Sequence, residues 1–376
     1  MKFIHLSDLH IGKRVNEFSM IDDQRYILKQ ILEIIDDIKP DGVIIAGDVY
    51  DKTMPSEEAV HLLNDFIDSL SERKQETYII SGNHDSAERL AFGYKLMDKS
   101  GIHISPAYNG ETVKFDLTDS YGELSLYLLP FIKPVHVRRY FPEEEIISYT
   151  DAVKVAVKHM DIDTDKRNII VTHQFITGAS KSDSEDISVG GSDNVDASAF
   201  DSFDYVALGH IHAPQKVGRE TIRYCGTPVK YSFSEEKDEK SVTIVELKNK
   251  GEIEISTVPL KPLKDMRTIK GSYMELTSKA FYEGTNTEDY IQAVLTDEED
   301  VLDAIARLRT IYPNIMGVKY DNIRTRRNND IGRAENVELL RPLEIFSEFY
   351  QKQNNKPMND EQKRLVSELI ESIWER

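Results

Sequence analysis

The sequence predicts an α/β sandwich followed by a smaller α/β unit. Five short apolar runs, rich in β-branched residues and bounded by turn residues, are typical of buried strands and span residues 3–6, 43–46, 78–80, 169–171 and 205–208. Stretches with helical periodicity separate them, and this alternation is characteristic of helices packed on a sheet. A chain of 376 residues is also long enough for two or three domains.

Two amphipathic helices are predicted near the N-terminus. The first covers residues 22–38, with an apolar face formed by Ile27, Leu28, Ile31, Ile35 and Ile38. The second is predicted to begin after Ser56, whose side chain is suited to capping a helix N-terminus. Its inward-facing side chains are expected to be Val60, Leu63, Ile67 and Leu70.

The first domain is predicted to span residues 1–260. Residues 241–247 and 252–258 alternate in polarity around an Asn-Lys-Gly turn, which predicts a closing hairpin. A stretch rich in Ser, Gly and Asp lies between Phe175 and Val195. We interpret it either as a long loop beside a functional site or as a disordered surface insertion.

A proline-flanked linker at residues 259–262 predicts a second unit. In this unit a strand is expected over residues 267–276, a helix over 300–312 and a strand over 315–320. Two short amphipathic helices are predicted after Arg341-Pro342. Their apolar faces are Leu343, Phe346 and Phe349 in the first, and Leu365, Val366, Leu369, Ile370 and Ile373 in the second.

The charge balance limits the classes of partner. The chain has 47 basic and 66 acidic residues, a net charge of −19, which argues against tight binding of duplex DNA by this chain alone. A nucleic-acid enzyme that uses bound cations or a basic partner is still allowed. Two clusters suit either contacts with backbone phosphate or an ordinary solvated surface: Arg138 with Arg139, and Arg324 with Arg326 and Arg327.

The single cysteine, Cys225, excludes an intrachain disulfide and a thiolate metal cage. We expect it to be a small buried side chain. The chain begins directly with a strand pattern, and no run approaches the roughly 18 apolar residues of a membrane span. No membrane partner and a cytoplasmic location are therefore expected.

Metal-binding side chains follow each of the five strand-like runs. The segments are Asp8-x-His10, Gly47-Asp48, Gly82-Asn83-His84-Asp85, Thr172-His173 and Gly209-His210-x-His212, and they contain five of the 10 histidines. In an open sheet, the crevice beyond the carboxyl ends of parallel strands is where ligands bind. We therefore expect these side chains to meet at one site.

The donor count indicates two metal ions that share one ligand. The seven donors are Asp8, His10, Asp48, Asn83, His173, His210 and His212. Seven is one short of two sets of four, and only a carboxylate has lone pairs to bridge two ions. Asp48, at a central strand end, is the better bridge. Imidazole, carboxylate and amide ligands without thiolate suit Mn²⁺, Fe or Zn²⁺. Two such ions would hold a phosphate and lower the pKa of a water molecule, which predicts phosphoester hydrolysis.

His84 is left as a histidine beside the ions and is suited to donate a proton to a leaving oxygen. The carboxylate of Asp51 is expected to accept a hydrogen bond from His84, although a loop or capping role for Asp51 is equally open. Asp85 is expected to hold a turn or cap a helix rather than to bind metal.

Together these segments resemble the pattern of calcineurin-like metallophosphoesterases, and further segments are similar to the SbcD family of bacterial nuclease subunits. The latter are Ser7-Asp8-Leu9-His10-Ile11-Gly12, Ala46-Gly47-Asp48-Val49-Tyr50-Asp51, Leu208-Gly209-His210-Ile211-His212, Tyr224-Cys225-Gly226-Thr227-Pro228 and Tyr231-Ser232-Phe233-Ser234-Glu235. The resemblance covers essentially the whole chain. It implies a metallophosphoesterase β-sandwich flanked by helices, a small α/β capping domain over residues 265–333, and C-terminal helices over 341–376 that dock on the coiled coil of a partner ATPase.

The resemblance also implies an activity. It is that of a Mn²⁺-dependent nuclease, exonuclease on duplexes and endonuclease on hairpins and single strands, which acts with the ATPase SbcC on DNA ends. The residues that match the family's ligands are Asp8, His10, Asp48 and His212 for one ion, and Asp48, Asn83, His173 and His210 for the other. His84 matches the family's catalytic histidine.

The family's assembly is implied as well. It suggests a homodimer formed through the helices at residues 56–70 and 88–99. Two such subunits combine with two ATPase subunits in a complex associated with the nucleoid.

Two other functions are open. The same site could act on a phosphoprotein or a small phosphodiester, but Lys52-Thr53 follows Asp51 where the protein phosphatases of this superfamily carry Arg-Gly. Alternatively, the chain could serve chiefly as a structural bridge between two partner ATPases.

Overall fold

The computed structural model describes residues 1–185, 193–323, 325, 343, 346, 347, 349–351 and 357–374. The strands, in chain order, are β1 (Lys2–Leu6), β2 (Arg14–Val15), β3 (Phe18–Ser19), β4 (Gly42–Ala46), β5 (Thr77–Ile80), β6 (Ile102–Ile104), β7 (Val113–Asp119), β8 (Gly122–Leu129), β9 (Arg167–His173), β10 (Phe175–Ile176), β11 (Asn194–Val195), β12 (Tyr205–Gly209), β13 (Gln215–Val217), β14 (Arg219–Tyr224), β15 (Ser241–Leu247), β16 (Ile253–Pro259), β17 (Met266–Gly271), β18 (Tyr290–Leu295) and β19 (Ile315–Tyr320).

The α-helices are α1 (Ile21–Ile38), α2 (Glu57–Glu72), α3 (Ala87–Leu90), α4 (Tyr94–Met97), α5 (Pro134–Arg138), α6 (Tyr149–Lys158), α7 (Tyr273–Leu276), α8 (Lys279–Tyr282), α9 (Ala304–Leu308) and α10 (Asp360–Trp374). Short 3-10 turns cover Asp98–Ser100, Ala197–Phe200 and Phe233–Glu235.

Two six-stranded sheets form the main domain. The first has the order β16-β15-β1-β4-β5-β6, and the second has the order β13-β14-β12-β9-β8-β7. The central strands of each sheet are parallel, whereas the edge strands β16 and β15, β13, and β7 pair antiparallel to their neighbours. Because parallel strands all point the same way, their carboxyl ends lie along one edge of each sheet.

The sheets pack face to face, and their strands are buried on both sides. Phe3, Ile44 and Val171 lie in the layer between the sheets, whereas the alternating neighbours Ile4 and Ile45 pack under the helices. This double burial explains the nearly continuous apolar runs in the sequence. The predicted sandwich flanked by helices is confirmed.

The two predicted N-terminal helices are present as α1 and α2. The Ser56 side chain accepts a hydrogen bond from the Ala59 N–H, so the predicted cap is confirmed. The expectation that Val60 faces inward is wrong, because its side chain is 45% exposed. The buried face of α2 is instead Ala59, Leu62, Leu63, Phe66 and Leu70, which follows the helical repeat more closely.

The predicted closing hairpin is present, since β15 and β16 pair antiparallel from Ser241 opposite Pro259 to Leu247 opposite Ile253. Beyond it, β17, β18 and β19 form a separate three-stranded parallel sheet. The Tyr290 hydroxyl at the start of β18 donates a hydrogen bond of 2.6 Å to Asp23 of α1. This contact connects the small sheet to the main domain.

The second unit differs from the prediction in three places. The strand expected over residues 267–276 ends at Gly271, because Ser272 caps the short helix α7 through its hydroxyl. The helix expected over 300–312 is only α9, since Asp303 has a left-handed φ of 51° that prevents an earlier start. The central strand β18 was not predicted at all.

The C-terminal prediction is only partly covered. The second amphipathic helix is present as α10, in which Leu365 is 57% exposed. Much of the first lies outside the described residues, as do the cluster formed by Arg324, Arg326 and Arg327 and most of residues 326–342. Within the described part of the chain, no helix combines the length and the apolar character that crossing a membrane requires.

A buried arginine joins the two sheets at the end opposite the strand carboxyl ends. The Arg167 guanidinium donates hydrogen bonds of 2.6 and 3.1 Å to the Asp119 carboxylate, and it also donates to the carbonyl oxygens of Leu247 and Lys248. The N-terminal ammonium of Met1 contacts the same carboxylate at 2.6 Å. Arg167 is only 2% exposed, so solvent cannot replace these contacts.

We predict that Arg167→Met lowers the free energy of unfolding by about 3 kcal/mol, because it leaves a poorly solvated carboxylate without its main partner. Denaturant unfolding measures this. The matched control is Lys166→Met, which removes an exposed ion pair with Glu123 and should change stability by less than about 1 kcal/mol. Equal effects of the two substitutions would contradict the proposed importance of the Arg167 clip.

Candidate metal centre

The five predicted segments meet at the carboxyl ends of the parallel strands. β1, β4 and β5 of the first sheet lead into Asp8, Asp48 and Asn83, while β9 and β12 of the second sheet lead into His173 and His210. Main-chain hydrogen bonds tie the loops together, from the Asp8 N–H to the Gly47 carbonyl at 3.0 Å and from the His10 N–H to the Asp48 carbonyl at 2.9 Å. The site therefore lies where both sheets end.

One group of donors comprises Asp8, His10 and His212, whose ligand atoms all lie within 4.8 Å of one another. All three residues are buried. The His10 Nε2 and His212 Nε2 atoms face each other at 3.2 Å. Two imidazole nitrogens at this distance can share only one proton, whereas a cation between them would use both lone pairs.

A second group comprises Asp48, His173 and His210, again within 4.8 Å. The Asn83 Oδ1 atom joins it, at 3.0 Å from His173 Nε2 and 2.9 Å from His210 Nδ1. His173 Nδ1 donates to the Ala46 carbonyl at 2.8 Å, which leaves the Nε2 lone pair facing the oxygens of Asn83 and Asp48. A divalent cation suits this arrangement of acceptors.

Asp48 lies between the two groups. Its Oδ2 atom is 3.7 Å from His10 Nε2 and 3.2 Å from His173 Nε2, so one carboxylate faces a histidine from each set. The Asp8 carboxylate is instead directed partly at the His210 N–H, at 3.0 and 3.1 Å. This geometry supports Asp48 rather than Asp8 as the shared ligand.

Burial and charge set the protonation of these groups in opposite directions. Burial lowers the pKa of His210 to about 3 and that of His10 well below its usual value, so both imidazoles are neutral, as metal ligands must be. Burial also disfavours charge on His173 and Asp48, but their mutual attraction outweighs it. It raises the pKa of His173 to about 9 and holds the pKa of Asp48 well below its usual range.

The backbone at the site is strained. Asp8, His10, Asp48 and His210 have φ values of 52°, 43°, 48° and 104°, in the region that side-chain-bearing residues rarely adopt. Each such residue costs on the order of 1–3 kcal/mol and persists only where the surrounding structure enforces it. The strand ends approach so closely that a Cβ on Gly82 would lie 2.1 Å from Asp48 Oδ1, and one on Gly209 would lie 1.9 Å from the Ala46 carbonyl oxygen.

His84 lies at the edge of the site, but not as predicted with respect to Asp51. Its Nδ1 atom is 3.0 Å from the main-chain carbonyl of Asp51, so the expected contact with the Asp51 carboxylate is wrong. That carboxylate accepts a hydrogen bond of 2.8 Å from Lys13 instead. The His84 N–H donates to Asp48 at 2.9 Å, and the His84 ring lies edge-on to that of His10.

Asp85 holds the turn that presents Asn83 and His84. Its carboxylate accepts hydrogen bonds from the N–H groups of Gly82, Val49 and Tyr50 at 2.8 to 3.0 Å. The prediction of a turn-holding residue is therefore confirmed. These three bonds tie the loop after β5 to the loop after β4.

Sequence reasoning missed the residues that support the ligands from behind. The Gln24 amide donates to the His10 carbonyl at 2.7 Å and accepts from the Gly12 N–H at 3.0 Å, and the Tyr231 hydroxyl donates to the Leu9 carbonyl at 2.5 Å. Ser184 and Glu235 lie behind His212. Tyr231 and Glu235 belong to a segment that carried the family resemblance, but Gln24 has no comparable signal.

The remaining predicted residues lie away from the ligands. Arg138 is half-buried at the end of α5, and Arg139 is exposed beside the Tyr140 ring. Cys225 is buried, as predicted, with its Sγ atom 3.0 Å from Ser7 Oγ. The loop after His173 runs beside the site, because Ser184 contacts His212 at 2.6 Å. The described part of that loop thus confirms the first of its two interpretations.

Comparison with known proteins gives two family matches. The model of the calcineurin-like phosphoesterase family matches residues 1–214. A second model, described as the type 5 capsule protein repressor C-terminal domain, matches residues 262–354. The two matches cover the two structured units separately.

Curated relatives match the chain along its whole length. It is 31% identical over 380 residues to the SbcD subunit of nuclease SbcCD from Staphylococcus epidermidis, with 100% of both chains covered. It is 32% identical over 384 residues to the protein of the same name from Staphylococcus saprophyticus, covering 100% of this chain and 99% of that one. Among solved structures, a dimetal phosphatase from Danio rerio is 10% identical, with a TM-score of 0.44 over 68% of this chain and 98% of that one.

We predict that Asp48→Asn reduces Mn²⁺ binding from two ions per chain to at most one. The amide loses the negative charge and the second lone-pair set that bridging requires. Isothermal titration calorimetry measures the stoichiometry, and Asp116→Asn on exposed β7 is the control. Retention of two ions at unchanged affinity in Asp48→Asn would show that Asp48 is not shared.

Proposed function

We propose a DNA nuclease function from the premise that the chain belongs to the SbcD branch of the calcineurin-like phosphoesterases. It is a metal-dependent hydrolase of phosphate esters, and the further proposal is that its substrate is the DNA phosphodiester. The observation that carries this proposal is the convergence of two donor groups around Asp48 at the ends of both sheets. The names of the full-length relatives support DNA as the substrate.

The proposed ligands of one ion are Asp8, His10, Asp48 and His212, and those of the other are Asp48, Asn83, His173 and His210. We propose Mn²⁺ because the donors combine imidazole, carboxylate and amide without thiolate. When bound, two such ions would hold the scissile phosphate and lower the pKa of a nearby water molecule.

We propose that His84 donates a proton to the departing sugar oxygen. Its Nδ1 atom faces the Asp51 carbonyl, which orients the ring and leaves Nε2 as the donor. His84 is half-buried at the edge of the buried ligands, where a substrate can reach it. The role proposed for Asp51 is thus to orient His84 through its main chain.

The partner proposed for DNA binding is a SbcC-type ATPase. A net charge of −19 opposes tight binding of a polyanion by this chain alone, so a basic partner should provide much of the affinity. We propose that residues 265–333 cap the DNA path and that residues 341–376 dock on the coiled coil of the ATPase. Phe349 and Leu365 are 58% and 57% exposed, which supports an apolar docking surface.

A homodimer is also proposed, within a complex of two nuclease and two ATPase subunits. Phe92 and Leu96 are 85% and 73% exposed in the segment 88–99, which the family resemblance places at a subunit interface. Exposed apolar side chains of this size are typical of interaction surfaces. A bridging role for the chain is therefore compatible with catalysis.

We predict that the purified chain with Mn²⁺ degrades linear duplex DNA and cuts DNA hairpins, and that its SbcC partner increases both rates. Gel assays with and without the partner measure this, with a chelator as control. DNA should compete with hydrolysis of a small chromogenic phosphodiester. Absence of DNA cleavage under all conditions, alongside turnover of the small ester, would favour another phosphodiester as substrate.

We predict that His84→Gln lowers the cleavage rate by about 10²- to 10⁴-fold, the usual contribution of a positioned proton donor. Mn²⁺ binding should be unchanged, because His84 is not among the proposed ligands. Rate assays and calorimetry on the same preparation separate the two effects. His61→Gln, on exposed α2, is the control, and an equal loss of Mn²⁺ binding in His84→Gln would assign His84 to the metal ligands.

A further inference from the structure

A buried ion pair lies behind His212, and the proposed mechanism does not use it. Glu235, in the 3-10 turn Phe233–Glu235, has no solvent exposure, and Lys240 is 6% exposed just before β15. The Lys240 Nζ atom donates to Glu235 Oε2 at 2.6 Å. Removing two charges from water is costly, and a hydrophobic pair often fills the same space without that cost. The contacts of this pair therefore indicate what it does.

The other carboxylate oxygen faces a serine that contacts His212. The Ser184 hydroxyl donates to Glu235 Oε1 at 2.5 Å. Because its single proton is used there, the Ser184 oxygen accepts a hydrogen bond from His212 Nδ1–H at 2.6 Å. The direct distance from His212 Nδ1 to Glu235 Oε1 is 3.5 Å, so Ser184 provides the closer link.

The direction of these hydrogen bonds fixes the histidine tautomer. With the proton on Nδ1, the lone pair of His212 is on Nε2, the atom that faces His10 Nε2 at 3.2 Å. The main chain of His212 is held as well, since its carbonyl accepts from Lys240 at 3.0 Å and its N–H donates to Glu185 at 2.7 Å. The ring and its lone pair are thus fixed toward one of the two donor groups.

We propose that Glu235 is a positioning residue that acts through Ser184 to fix the tautomer and orientation of His212 for one of the two metal ions. The inference rests on the proposed two-ion function. Residues that hydrogen-bond a metal-ligating histidine from behind typically change metal affinity by about 10- to 100-fold when replaced. The effect should be confined to the ion that His212 binds.

Glu235→Gln is a sharp test because Lys240 dictates how the amide would turn. The Lys240 ammonium needs an acceptor, so the Gln oxygen faces Lys240 and the NH₂ group faces Ser184. Ser184 then accepts from the amide and donates to His212 Nδ1, which moves the imidazole proton to Nε2. Glu235→Gln therefore reverses the relay and blocks the ligating nitrogen.

The double variant Glu235→Gln/Lys240→Met should restore part of the binding. Without the ammonium, the amide oxygen is free to face Ser184, and the NH₂ group can donate to Thr227 Oγ1, which lies 3.2 Å from Glu235 Oε2. The original relay direction then becomes available again. A residue that only stabilised the fold would not show this rescue, because the double variant removes more of the ion pair than the single one.

The experiment uses the full chain, with Mn²⁺ alone as the probe in calorimetry and nitrogen-15 NMR of the metal-free histidine side chains to read the tautomer. In Glu235→Gln we expect one ion to bind about 10- to 100-fold more weakly, the other to bind within about twofold, and the His212 proton to move to Nε2. The double variant should recover part of the lost affinity. Glu239→Gln, an exposed neighbour, should behave like the unsubstituted chain.

Unchanged binding of both ions in folded Glu235→Gln, equal loss of both ions, or no recovery in the double variant would each overturn the proposal. If Glu235→Gln does not fold, Ser184→Ala decides, because it removes the relay and leaves the ion pair intact. Ser184→Ala should weaken the same ion, and unchanged binding there would overturn the proposal. Failure of the two-ion function is distinguishable, since it would appear as fewer than two ions in the unsubstituted chain.

Discussion

The buried carboxylate of Asp48 is the constraint around which the site is organised. It lies at the end of a central strand of the first sheet and contacts His173, which comes from the second sheet, at 3.2 Å. A buried negative charge requires compensation by cations or hydrogen bonds. Without metal, the imidazolium of His173 and the His84 N–H provide part of that compensation. The two sheets must therefore end together for either state to be stable.

The strained backbone shows how tightly this meeting of strand ends is determined. Asp8, His10 and Asp48 adopt left-handed φ values because each loop must turn immediately after a strand and still donate a main-chain hydrogen bond to its neighbour. Gly82 and Gly209 allow the loops to pass within a distance that a Cβ would prevent. The far end of the sandwich is joined by Arg167, so rigid strands hold both ends of the site's framework.

The sequence predicted the members of the site much better than their contacts. Each proposed ligand follows an apolar run, and the shared direction of parallel strands is enough to bring such residues together. Whether the carboxylate or the carbonyl of Asp51 faces His84 depends on Lys13, and the link from Ser184 to Glu235 depends on how distant loops pack. Local pattern contains neither fact. In the small unit, the left-handed φ of Asp303 shortened a helix that periodicity alone had extended.

The central claim is that two ions share Asp48, and anomalous scattering from crystals of this chain soaked in Mn²⁺ tests it most directly. The account predicts two peaks on either side of the Asp48 carboxylate. One should lie among Asp8, His10 and His212, and the other among Asn83, His173 and His210. A single peak, or two peaks of which one has no contact with Asp48, would contradict it.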